Sequence, residues 1–185
     1  MFKILIVFFI LNFNNLAFGT IKQKIISKLD QSSSLSFNFK QTINTNNEIG
    51  KCVIQYPKKI YCVYDNNNKK ILVSDGKSLV IKNRNSGTYY RYPLKKTPLN
   101  FLLDKDYLIK KIMNSKFRDV KNKYINFKLF EDGNEINIYF DKNNYNLIGW
   151  QTEDIYQNLV ITFISSIKTN IKFEEKIFIL PEQNQ

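Results

Sequence analysis

Cys52 and Cys62 are the only cysteines in this 185-residue sequence, and their chemistry depends on what surrounds them. Such a pair can form a disulfide, act as a redox couple, or fill a core as two small apolar thiols. A redox couple needs its cysteines together in a Cys-x-x-Cys turn with tuned acidity, which this spacing denies. There is no histidine. That removes Ser-His-Asp and Cys-His nucleophile systems and the usual histidine-based zinc sites. No pair among the 16 acidic residues stands out from a solvated background. The expectation is a protein that is not an enzyme and carries no cofactor and no metal.

The cysteines sit in "GKCVIQYPKKIYCVY" (50–64), two apolar strands around Pro57 and a lysine pair. Proline belongs at the turn because it cannot donate to a ladder. A turn centred on Pro57 sets Ile54 opposite Ile60 and Cys52 opposite Cys62. In an oxidising compartment this neighbourhood favours a disulfide, with two buried thiols as the alternative. The next hairpin, "KKILVSDGKSLVIKN" (69–83), folds about Asp75-Gly76, the strongest short-range hairpin signal. Centring it there sets Leu72 opposite Leu79 and Ile71 opposite Val80. Both faces are apolar, so this sheet needs a lid, a partner or a ligand on each side.

The elements on either side follow from periodicity. Ile21, Ile25, Ile26 and Leu29 form a helical stripe that Thr20 can cap. Ser32-Ser33-Ser34 breaks it, and Leu35, Phe37 and Phe39 then alternate as a strand. Thr97-Pro98 reads as a helix start with Thr97 as N-cap, followed by "LNFLL", an interruption at Asp104 and a short helix in "KDYLIKKIM". Beyond Lys116, "YINFKLF", "EINIYF", "LIGWQTED", "LVITFISSIK" and "KIFIL" read as strands, with turns at Asp132-Gly133 and Lys142-Asn143-Asn144. The fold class is therefore mainly β with a helical lid (α+β). It is a curved meander, an incomplete antiparallel β-barrel covered by short α-helices, whose aromatic-rich interior is either an ordinary packed core or a space able to host long apolar chains.

The first 19 residues read as a signal peptide. Lys3 is followed by the apolar run Ile4–Leu11 and the small-x-small pattern Ala17-Phe18-Gly19. The run is shorter than the ~20 residues a membrane span needs. A single domain, 20–185, is expected as a soluble exported chain that begins near Thr20. No cysteine stands immediately after the cleavage point, so the exported chain is not expected to be lipid-anchored itself. Removing Lys3 lowers the formal charge from +12 to +11. The lysines are scattered, in a composition rich in Asn, Lys and Ile that looks like an AT-rich genome. No nucleic-acid partner is expected, and weak attraction to anionic phospholipid headgroups fits better.

Several stretches resemble the LolA family of periplasmic outer-membrane lipoprotein carriers. "ILVSDGKSL" (71–79) resembles its signature. "SKLDQSSSLSFNFKQ" (27–41), "EIGKCVIQYPKKIYCVY" (48–64), "TPLNFLL" (97–103) and "LIGWQTEDIYQNLVITF" (147–163) match in the same order. The resemblance covers most of residues 20–185. It implies a monomeric periplasmic chaperone that takes lipoproteins from an inner-membrane releasing ABC complex, LolCDE-like. The chaperone hides their acyl chains and passes them to a LolB-like acceptor or to the outer membrane directly. Exposed acyl chains cost ~0.8 kcal/mol per CH₂, so a carrier needs a large apolar cavity. The alternative is a non-transporting lipid- or lipoprotein-binding envelope module, a sensor or structural domain.

For the acyl-chain cavity the candidates are Phe37, Phe39, Ile54, Ile60, Leu72 and Leu79, with Trp150 and Phe163 from the second half. Leu99, Phe101, Leu102, Leu103 and Leu108 are the lid candidates. Better-known members carry a lid-latching arginine before the proline of the "YPKK" turn. Here that position is Tyr56, which lacks the guanidinium fork. Cys52 and Cys62 occupy inward positions that the family usually fills with large apolar residues.

Overall fold

A computed structural model describes residues 20–65, 69–154 and 156–183, so the expected signal peptide lies outside the described residues. Helix α1 (Ile21–Asp30) starts at Thr20 in a capping box. The Thr20 hydroxyl accepts from the Gln23 N–H, and the Gln23 side chain accepts from the Thr20 N–H. Ile25 and Leu29 form its buried stripe.

Six strands follow: β1 (Ser34–Ile43), β2 (Asn46–Gln55), β3 (Lys59–Tyr64), β4 (Lys70–Asp75), β5 (Ser78–Asn83) and β6 (Tyr89–Pro93). After α2 (Leu99–Leu102) and α3 (Lys105–Asn114) come β7 (Phe117–Val120), β8 (Tyr124–Glu131), β9 (Asn134–Asp141), β10 (Leu147–Glu153) and β11 (Leu159–Thr169). Every strand pairs antiparallel with its chain neighbour within each half, and β1 pairs with β11. Among the described residues the result is one 11-stranded sheet whose edges, β6 and β7, do not pair with each other. It is an open barrel.

The helices fill its inside. α1 and α3 pack antiparallel: Lys22 Nζ donates to the Met113 carbonyl near the end of α3, and Lys105 Nζ to the Asp30 carbonyl at the end of α1. Each lysine thus sets positive charge at a helix C-terminus, where the dipole favours it. Ile25, Leu29, Leu108 and Ile112 join one apolar cluster with the inward residues of the sheet. On β8 and β9 that half is packed solid, with Ile125, Phe127, Ile136, Ile138 and Phe140 all fully buried.

Three expectations are corrected. The 69–83 hairpin pairs Ser74 with Leu79, Val73 with Val80 and Leu72 with Ile81. Asp75 stands before the loop, its carboxylate accepting from the Lys77 and Ser78 N–H groups at 2.8 Å each. Gly76 and Lys77 are therefore the turn residues, and Gly76 takes a φ of +96° that suits glycine. The slip keeps parity, so Leu72 and Leu79 stay on the inner face. Thr97 does not cap α2. Its hydroxyl donates back to the Leu94 carbonyl at 2.9 Å, and Pro98 holds the cap position.

The third correction is "KIFIL". Glu175–Phe178 is a 3-10 turn that lies against β3 and β4. Glu175 accepts from Gln55 and Lys59, and Lys82 reaches the Glu182 carbonyl. Phe178 is buried here, as are Ile71, Val73 and Val80 on the outer face of β4 and β5. This C-terminal strap is the cover that the two-sided hairpin requires.

Candidate functional site

The inner faces of β1 to β6 do not meet the helices everywhere. Between them and the start of α2 lies a cavity of about 450 Å³, lined mostly by apolar groups. Alternation on each strand decides what enters it. Phe37 and Phe39 point in from β1, Ile60 and Cys62 from β3, and Leu72 and Leu79 from β4 and β5. Phe39 lies over its partner Gly50, where a Cβ would come within 2.8 Å of the ring. Trp150 closes the far wall, edge-on to Phe37 with ring centroids 6.3 Å apart.

Cys52 and Cys62 are bonded as a disulfide and line the same wall. Their pairing is the direct cross-strand one that a turn about Pro57 requires. The bond fits an extracytoplasmic protein.

Two cavity candidates lie elsewhere. Ile54 is buried but stands near the closed end of β2, where the Pro57 turn meets the end of α2, and does not line the cavity. Phe163 faces outward and is 53 % exposed. Its phase is set by the pairing of β11 with β1, which aligns it with outward-facing Lys40 and turns Thr162 and Ile164 inward.

Of the lid candidates, Leu99 lines the cavity beside Thr97 and Pro98. Phe101, Leu102, Leu103 and Leu108 are buried in the core and anchor the helices. The Tyr56 ring also packs against this core, but its hydroxyl is buried without a partner among the described residues. Burial pushes the hydroxyl's pKa far up. Lys58, on the other side of Pro57, makes the contact to the lid. The Lys58 N–H donates to the Leu103 carbonyl at 2.8 Å, and Lys58 Nζ lies 3.3 Å from Asp104 Oδ2. The other Asp104 oxygen caps α3 by accepting from the Tyr107 N–H.

Sequence reasoning missed the mouth. Tyr90 and Tyr92 of edge strand β6 stack at its rim, centroids 6.2 Å apart, and their alternation in "YYRYP" was the available signal. Tyr64 lines the cavity too, edge-on to Phe39 at 4.9 Å. Lys70 Nζ sits 3.9 Å over the Tyr64 ring and pairs with Glu48. Burial, and next the Glu48 charge, push the Tyr64 hydroxyl's pKa well up, so it stays neutral at physiological pH. The lining is mostly apolar, with Lys70, Glu153 and Asp154 as its charged groups, and the described residues include no group of three or more potential metal ligands. The cavity is suited to holding an apolar ligand.

An open antiparallel barrel, lidded by short helices around an apolar cavity, defines a class of binding protein. The profile of the family described as outer membrane lipoprotein carrier protein LolA matches residues 30–180, and the chain belongs to that family. No curated protein matches the sequence. An uncharacterized conserved protein from Thermus thermophilus shares the fold at 8 % identity and a TM-score of 0.52, over 90 % of this chain and 98 % of that one. A LolA superfamily protein from Nitrosomonas europaea aligns at 10 % identity and a TM-score of 0.45, over 88 % and 99 %. MucB in the MucA/MucB complex of Pseudomonas aeruginosa aligns at 10 % identity and a TM-score of 0.48, over 89 % of this chain and 61 % of MucB.

Proposed function

We propose that this protein is a periplasmic lipoprotein chaperone. It takes lipoproteins released from the inner membrane by a LolCDE-like complex and sequesters their acyl chains. It then delivers them to a LolB-like acceptor or to the outer membrane itself. The observation that supports this reading is the mostly apolar cavity under the start of α2. Phe37, Phe39, Ile60, Leu72, Leu79 and Trp150 form its acyl-contacting wall, and Leu99 is the lid residue over it. The gain from hiding acyl CH₂ groups supplies affinity, while the short helices leave a route for release.

The test is incubation of the purified protein with spheroplasts that hold newly made lipoproteins. The expected result is lipoproteins in the supernatant, in complex with the protein. If an apolar probe binds the protein but no lipoprotein leaves the membrane, the carrier reading falls and a non-transporting lipid-binding module replaces it.

A further inference from the structure

The outer face of the sheet is covered by the C-terminal strap over β3 to β5, whereas no described residue covers it around Lys40 of β1, Phe163 of β11 and Ile49 and Lys51 of β2. There Lys40 of β1 is flanked by Phe163 of β11 and Ile49 of β2, its register partners on either side. Phe163 and Ile49 are each 53 % exposed. One rung along, Lys51 pairs with Val63, which is also exposed. Neither Lys40 nor Lys51 forms an ion pair with a described residue, and Asp65 is the one acidic group lining the shallow depression among them. Large apolar side chains are thus displayed beside two ammonium groups that share a single carboxylate in the depression, on a chain of net charge +12.

We infer that this bare strip is a docking surface for an anionic phospholipid membrane. Phe163, Ile49 and Val63 enter the headgroup region, while Lys40 and Lys51 lay their stems along the apolar surface and present their charge to phosphates. A lipid surface suits the strip better than a protein does. A stable protein interface engages about 20–30 residues a side, with lysine depleted at its centre, and this strip offers few apolar side chains around a lysine. Charge complementarity favours anionic lipid, whose surface potential attracts basic segments. The surface lies on the back of the strands that wall the cavity, so docking does not depend on what the cavity holds.

The test is co-sedimentation of the purified protein with vesicles of phosphatidylethanolamine and phosphatidylglycerol, against vesicles of phosphatidylcholine alone. Binding to the anionic vesicles is expected, with at least a tenfold loss in Lys40→Glu/Lys51→Glu and a severalfold loss in Phe163→Ser. Lys95→Glu/Lys96→Glu, with the same change in net charge at exposed positions elsewhere, is expected to lose less than threefold. All these positions are exposed, and unchanged thermal midpoints would certify folding. Equal losses in the two double variants would overturn the proposal in favour of general charge attraction. Equal binding to both vesicle types would overturn it as well. So would a concentration-dependent dimer abolished by Phe163→Ser, which would assign the strip to a second copy of the chain.

Discussion

Lys58 holds the lid from the turn next door: its ammonium lies 3.3 Å from Asp104 and its N–H donates to the Leu103 carbonyl at 2.8 Å. The two contacts tie the β2–β3 turn to the junction of α2 and α3, beside the position where the family resemblance implies an arginine. Asp104→Asn keeps an oxygen to cap α3 but removes the ion pair. Both side chains are about one-third exposed, so the expected loss of stability is at most about 1 kcal/mol. The more telling readout is hydrogen exchange: the amides of residues 99–104 should exchange faster in the variant. Unchanged exchange there would show that the ion pair does not restrain the lid.

Tyr56 carries a buried hydroxyl with no partner among the described residues. An unsatisfied buried hydroxyl costs roughly 1–3 kcal/mol in lost hydration. Tyr56→Phe keeps the ring and is expected to raise the thermal midpoint, by about 2–4 °C per kcal/mol recovered. A lower midpoint in the phenylalanine variant would mean the hydroxyl makes a contact that matters.

The Cys52–Cys62 bond spans a sequence separation of 10. The chain-entropy model assigns a loop of that length about 2–3 kcal/mol, so the double alanine variant should unfold at correspondingly lower urea. Alkylation without reductant should label no thiol in the native wild-type protein. Labelling of either cysteine would contradict the bond.

Leu72 lines the cavity, and Phe130 stands 65 % exposed on β8. Leu72→Trp fills part of the space and should weaken uptake of a fluorescent fatty acid at least tenfold. Phe130→Ser should leave uptake unchanged. Equal uptake by all three proteins would place the apolar ligand outside this cavity.

Asp75 makes the hairpin pH-sensitive. Burial pushes its carboxyl up, but the N–H groups of Ser78, Lys77 and Asp75 itself outweigh that and hold its pKa below the usual carboxylate range. A folded-state value below the unfolded one gives stability that is complete above the ordinary value of about 3.9 and is lost as pH falls through the folded value. Asp75→Asn retains an acceptor without the charge. Urea midpoints should show the wild type more stable at pH 7, with the gap narrowing below about pH 4. A gap independent of pH would rule out this linkage.

Much of this protein is legible in its sequence because local rules act alone there. Thr20 with its stripe, the Pro57 turn and the alternation of Phe37 and Phe39 give α1, the β2–β3 pairing and the inward face of β1 without help from distant residues. Where two local signals compete, pattern alone does not choose between them. Asp75 and Gly76 both suit a turn, and the register that pairs Ser74 with Leu79 places Asp75 before it, where its carboxylate accepts from Lys77 and Ser78. Thr97 has the type of a helix cap, but its hydroxyl is drawn back to Leu94 by the preceding 3-10 turn.

What the sequence determined by itself was most of the strands and helices, and the Cys52–Cys62 pairing through its short turn. The sidedness of Phe163 was decided only by tertiary structure, because hydrophobicity does not tell which face a strand turns inward once both carry apolar residues. The β1–β11 register made that choice by setting Phe163 beside Lys40. Tertiary structure also separated solid core from open cavity. Ile138 on β9 and Leu72 on β4 are both apolar and both face inward. Helix packing fills the space at Ile138 and leaves it open at Leu72, since helices that short cannot cover the whole inner face of an 11-stranded sheet.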